Sequence, residues 1–138
     1  LGTNDLKYTD ASGAARGAAE LVALLQEANL RFPGATAVFP HGPRVLLISP
    51  VTIRENAVPE GPFFTHDESL RFAGLYEAVA QASGVHFLDA ARYAQPSPKE
   101  GTHLLPEGHA ALARAVAEQV RTIFAQEELE AKTGHAAL

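Results

Sequence analysis

Four consecutive apolar residues, Val45-Leu46-Leu47-Ile48, do most to limit what this chain can fold into. A strand with one wet face alternates apolar and polar residues, and this run does not. It therefore reads as a strand buried on both faces, the pattern of a parallel sheet covered by helices. Arg44 precedes the run and Ser49-Pro50 ends it, because proline has no N–H to give to a ladder. Gly84-Val-His-Phe-Leu-Asp89 reads as a second, shorter strand.

Helices flank these strands. The segment from Thr9 to Leu30 is expected to be helical, with Asp10 or Ser12 as its cap. Leu21, Leu24, Leu25 and Ala28 recur at three- and four-residue spacing and form the expected apolar face. Ala14, Ala15, Ala18 and Ala19 favour helix and permit close packing, and Phe32-Pro33-Gly34 is the stop. Asp67 to Ser83 is a second helix with Leu70, Ala73, Tyr76 (or Glu77) and Ala80 in register, closed by Gly84. A last helix starts at Pro106, where proline suits the first turn, and runs through Leu112, Val116, Val120 and Phe124. Beyond Gln126 the residues turn polar, and Thr133 to Leu138 reads as a flexible tail.

The order helix, strand, helix, strand, helix implies an α/β fold, a three-layer α/β/α sandwich with a parallel sheet. Residues 1–126 make up the domain portion, and residues 127–138 the helix end and tail. Two strands are too few for such a sheet, so the chain reads as the later part of a larger domain. Chemistry in these folds gathers at the carboxyl ends of the strands. Here those ends are Leu1 to Asp5 (if a strand precedes Leu1), Ser49 onward and Asp89 onward.

Composition removes several function classes. Lys and Arg number 11 against 16 Asp and Glu, a net charge of −5, which argues against a general nucleic-acid binder. The chain has no cysteine, which excludes disulfides, zinc–thiolate sites, iron–sulfur clusters and a cysteine nucleophile. No apolar run approaches the ~18 residues of a membrane span. No signal segment is visible, the compartment is left open, and no cofactor is expected. The absence of Met suggests that Leu1 is not where the gene begins.

Two segments can carry chemistry. Asn4 offers an amide N–H that could stabilise a developing oxyanion; Gly2, Asn4 and Asp5 are equally ordinary turn residues. Histidine ordinarily titrates near neutral pH, so His103 could act as a general base, and Glu100, three residues earlier, can reach back to orient its ring. The competing reading is a loop whose polar residues cap the helix at Pro106. His103 and His109 match no standard metal motif, and His41, His66, His86 and His135 are scattered, so no metal site is expected. Asp89 is a turn or cap residue, or a group supporting the site from behind. The long loop from Pro50 to His66 carries Ile53, Phe63 and Phe64, which either line an acyl or alcohol pocket or pack against the domain or another copy of the chain.

Taken together, the two segments resemble the SGNH (GDSL-type) hydrolase superfamily. Gly2-Thr3-Asn4-Asp5 looks like its Gly-x-Asn-Asp block, and Glu100-Gly101-Thr102-His103 like its Asp-x-x-His block. Leu1-Gly-Thr-Asn-Asp-Leu-Lys, Leu47-Ile-Ser-Pro50 and Phe87-Leu-Asp-Ala90 look like the arylesterase and acyltransferase branch. The resemblance implies a flavodoxin-like SGNH fold of which this chain is the C-terminal part, with Leu1 the last residue of the third strand. It implies a serine esterase acting on short acyl or aryl esters, with possible acyl transfer to alcohols. Asn4 matches the oxyanion Asn and His103 the base, while Glu100 stands where the family has Asp. The Gly-Asp-Ser nucleophile block and the oxyanion Gly block are absent. Ser12, Ser49, Ser69, Ser83 and Ser97 lie in no such context. The expected partners are therefore an ester substrate and a second polypeptide or segment carrying Gly-Asp-Ser, with a homo-oligomer possible. A non-catalytic interaction domain derived from the same fold is the alternative, and a metal-dependent deacetylase a distant third.

Overall fold

The computed structural model describes residues 2–28 and 43–134, with side chains up to Gln126 in the last helix. A 3-10 turn, Asn4–Lys7, leads into helix α1, Ala11–Gln26. Strand β1 is Leu46–Ser49 and strand β2 is His86–Asp89. Between them lie a short helix α2, His66–Leu70, and helix α3, Phe72–Ser83. A 3-10 turn, Ala90–Arg92, follows β2, and helix α4 runs over Pro106–Gly134.

The two strands pair in parallel, Leu46 opposite His86 through to Ser49 opposite Asp89. Parallel neighbours need a crossover, and α2 and α3 supply it. Helix α3 is released by Gly84 in the left-handed conformation, φ 64° and ψ 36°, which costs glycine little. Both strands therefore end on one edge of the sheet. There the Ser49 hydroxyl donates to Asp89 Oδ1 at 3.1 Å, and the same oxygen accepts the Ala91 N–H at 3.0 Å. Asp89 thus caps the turn after β2.

Asp10 is the cap of α1, accepting the Gly13 N–H at 2.8 Å. A second acceptor comes from far along the chain: Glu68 Oε2 takes the Ala11 N–H at 2.8 Å. Arg71 binds both Glu68 oxygens and the Ser12 hydroxyl, tying α2 to the start of α1. The far ends of α1 and α3 are joined by Gln26, whose amide donates to the Ser83 carbonyl at 2.8 Å.

The core comprises Leu6, Ala11, Ala14, Ala15, Ala18, Ile53, Phe64, Phe72 and Tyr76. It corrects three expected faces. On α1 the buried row is alanine plus Val22, while Leu21, Leu24 and Leu25 are 41–44% exposed. The small residues let α1 lie close to α3, so the leucines turn towards β1. With Ala28, Val45 to Ile48 and Tyr76 they line an apolar cleft of about 810 Å³. On the second helical segment, Leu70 is exposed and Phe72, Tyr76 and Ala80 are buried. Arg71 between the two helices keeps a helical conformation, so the buried row runs Ser69, Phe72, Tyr76, Ala80, and Leu70 falls beside it. On α4, Ala115 and Ile123 are buried whereas Val120 and Phe124 are exposed. The buried stripe lies one residue before the expected one.

Helix α4 continues past Gln126 to Gly134. The expected stop of α1 at 32–34, residues His41 and His135, and the end of the tail lie outside the described residues, as does Leu1. No helix among the described residues is long and apolar enough to cross a membrane.

Candidate active site

The first candidate segment is a tight turn held against the end of β1. The buried Gly2 has φ 103°, and its N–H donates to Asp5 Oδ2 at 2.6 Å. A Cβ at this position would lie 2.7 Å from the Tyr76 hydroxyl and closer still to Pro50 Cγ, so only glycine fits. Leu6 anchors the turn in the core. The turn therefore holds Asn4 beside the carboxyl end of β1. The Asn4 side chain is exposed and has no hydrogen-bond partner among the described residues, which leaves its N–H groups available.

The second segment is the loop before α4. Pro96 and Leu104 form an antiparallel bridge, the Ser97 N–H donates to the His103 carbonyl at 2.8 Å, and the Gly101 N–H to the Ser97 carbonyl at 2.9 Å. Within this closed loop Glu100 folds back on His103. Its Oε1 accepts the N–H of His103 at 2.5 Å and of Thr102 at 3.2 Å, and its Oε2 lies 2.9 Å from His103 Nδ1. The bond to the imidazole, followed by the backbone bond, holds the Glu100 carboxyl below the ordinary glutamate value. A carboxylate at Nδ1 selects the tautomer with the proton on that nitrogen. Nε2 then carries the lone pair, and the side chain of His103 is 83% exposed.

The loop of residues 50–66 packs against both segments. At one end Lys7 pairs with Glu60 at 2.5 Å and the Phe63 N–H donates to the Leu6 carbonyl at 3.2 Å. At the other, the Arg54 N–H donates to the Gly101 carbonyl at 2.8 Å. Asn56 reaches the Pro98 carbonyl at 2.9 Å. Of the three residues read as pocket candidates, Ile53 and Phe64 sit in the core and Phe63 is 37% exposed. Ile53 and Phe64 thus pack with Leu6, the anchor of the first turn, and Ile53 also lines a cavity of about 390 Å³ with Arg54, Asn56 and His66.

The structure thus joins Glu100 to His103 directly, while no hydrogen bond links Asn4 to either. Among the described residues no serine binds the His103 ring. Ser12 accepts from Arg71, Ser49 binds Asp89, Ser69 donates to the His66 carbonyl, and Ser97 accepts the Lys99 N–H. His109 is exposed on α4, and His66 Nδ1 lies 2.5 Å from the Ile53 carbonyl. No group of three or more His, Asp or Glu is gathered among the described residues in a way that could hold a metal. Sequence reading singled out neither Arg54 nor Asn56, and named the buried Gly101 only as part of the Glu100 to His103 block. Gly101 alone left a signal, a glycine inside a polar turn.

No family model matches the chain, and no curated protein does. Solved structures do. A protein assigned as an arylesterase from Agrobacterium tumefaciens is 32% identical, with a TM-score of 0.74, over 89% of this chain and 58% of its own. A carbohydrate acetylesterase from Sinorhizobium meliloti is 28% identical with a TM-score of 0.77, over 89% and 58%. The aryl esterase of M. smegmatis is 28% identical with a TM-score of 0.72, over 88% and 58%. The fold is of the SGNH hydrolase type. The chain spans about 58% of the length of these neighbours.

Proposed function

We propose that the chain forms part of a serine ester hydrolase, in which His103 is the general base, Glu100 orients it and Asn4 donates to the oxyanion. The reading is carried by the contact of Glu100 Oε2 with His103 Nδ1 at 2.9 Å, which leaves Nε2 free to take a proton. The esterase neighbours support it. The nucleophile is a serine of a Gly-Asp-Ser segment outside this sequence, either another part of the same protein or a second polypeptide.

In this mechanism the serine oxygen attacks the ester carbonyl while its proton passes to His103 Nε2. Negative charge grows on the carbonyl oxygen and receives the Asn4 N–H. The positive imidazole is stabilised by Glu100 and returns its proton to the leaving alcohol. Water then attacks the acyl-enzyme, giving its proton to His103; the bond between the acyl carbon and the serine oxygen breaks, His103 returns the proton to that oxygen, and the acid departs. Short acyl and aryl esters are the proposed substrates. Transfer of the acyl group to an alcohol needs a site that excludes water.

The test supplies the chain with a Gly-Asp-Ser-bearing segment and follows p-nitrophenyl acetate. Turnover that disappears in His103→Ala supports the reading. Turnover unchanged in both His103→Ala and Asn4→Ala overturns it.

A further inference from the structure

We infer that Arg54 is a positioning residue for His103, acting through the backbone of the loop that carries it. The inference rests on the reading of His103 as the base. Arg54 sits on the loop after β1, yet its bonds go to the loop before α4. Its N–H donates to the Gly101 carbonyl at 2.8 Å, its Nε to the Pro96 carbonyl at 2.6 Å, and its Nη2 to Gln95 Oε1 at 3.2 Å. It has no carboxylate partner among the described residues, so its charge is spent on carbonyl and amide oxygens alone.

Those acceptors bracket the loop. Pro96 is bridged to Leu104, next to His103, and Gly101 lies midway between Glu100 and Thr102. One side chain therefore fixes the entry to the loop while its own backbone fixes the middle. Held at both points, the segment 97–103 has little freedom, and the Glu100 carboxylate meets the His103 ring without an ordering cost at each turnover. Asn56, two residues on, adds a third tether at the Pro98 carbonyl. Lysine could reach one of these oxygens but cannot span two with a planar fork.

The experiment compares Arg54→Met and Arg54→Lys with wild type in the 138-residue chain alone, labelled with ¹⁵N. Long-range imidazole spectra report the His103 tautomer, and amide exchange reports the loop. Wild type is expected to show the proton on Nδ1. In Arg54→Met the population shifts towards the Nε2–H form, and exchange at Gly101 and His103 quickens by about 10-fold or more while exchange in α1 and α3 is unchanged. Arg54→Lys falls between the two. When nucleophile is supplied, Arg54→Met lowers kcat by about 10–100-fold with KM little changed. An unaltered tautomer and loop exchange in folded Arg54→Met overturn the inference. So does global unfolding of both variants, since the role would then belong to the whole domain. The spectra need no nucleophile, so an inactive complemented enzyme with a shifted tautomer would count against the esterase reading and not against this one.

Discussion

Replacing Gly101 with alanine tests how the candidate site is built. Gly101 is buried with φ 82°, and a Cβ there would stand 2.8 Å from the backbone N of Ala57 and 3.0 Å from its Cα. Two costs follow. Placing an L-residue in the left-handed region costs about 1–2 kcal/mol. Forcing a methyl against backbone adds about 1–3 kcal/mol, since backbone cannot rotate aside as a side chain can. The sum is about 2–5 kcal/mol, a large part of the 5–15 kcal/mol typical of a domain. At ~4 °C per kcal/mol for a chain of this size, Tm falls by about 8–20 °C. Thermal unfolding followed by circular dichroism measures the drop. Gly101→Asn separates the two costs, because asparagine tolerates a left-handed φ but keeps the Cβ. It is expected to lie between wild type and Gly101→Ala. A Tm within about 2 °C of wild type for Gly101→Ala would refute the packing of this loop on Ala57.

Three further outcomes are expected. Asn4→Ala leaves stability unchanged, because its side chain has no partner among the described residues, but lowers kcat of the nucleophile-supplied enzyme by about 10²–10³-fold; equal rates would remove Asn4 from the oxyanion site. The Glu100 carboxyl, lowered chiefly by its bond to the His103 side chain, is expected to titrate at higher pH in His103→Ala, read by carboxyl ¹³C shifts. Because its folded value is depressed, the order it lends the loop is present above the ordinary glutamate range and lost as pH falls through that lowered value. Tyr76 is pushed up to about 12 by burial and then by the negative charge of Asp5, so its contribution is intact below pH ~10 and lost as pH rises through about 12. Tyr76→Phe is expected to flatten the alkaline fall in stability over that interval, and an unchanged fall would place the sensitive group elsewhere.

Both strands are legible in the sequence, for a local reason. Val45 to Ile48 offer no polar face, and Pro50 and Gly84 mark boundaries through their own backbone chemistry. The Glu100 to His103 contact is legible too, since three residues of a turn suffice to bring the groups together. Faces are harder to read. On α1 both an alanine row and a leucine row are apolar, and the choice between them depends on how closely α3 approaches, which no local pattern records. The same applies to Leu70, which lies beside a buried row that the polar Ser69 begins and Phe72, Tyr76 and Ala80 continue. The role of Arg54 rests on partners 41 and 42 residues away, and nothing in its neighbourhood marks it.

The central claim is that His103, held by Glu100, withdraws the proton from a serine hydroxyl supplied by the rest of the fold. It is tested most directly by the rate at which a fluorophosphonate, added to the chain complemented with a Gly-Asp-Ser segment, forms a covalent adduct with that serine. Intact mass reads the adduct, and the step needs only attack by the serine oxygen, loss of fluoride and capture of one proton. The account predicts labelling of the wild type and a fall of about 10²–10⁴-fold in His103→Ala. Glu100→Gln is expected to lie between the two. Labelling at the same rate with and without His103 would contradict it.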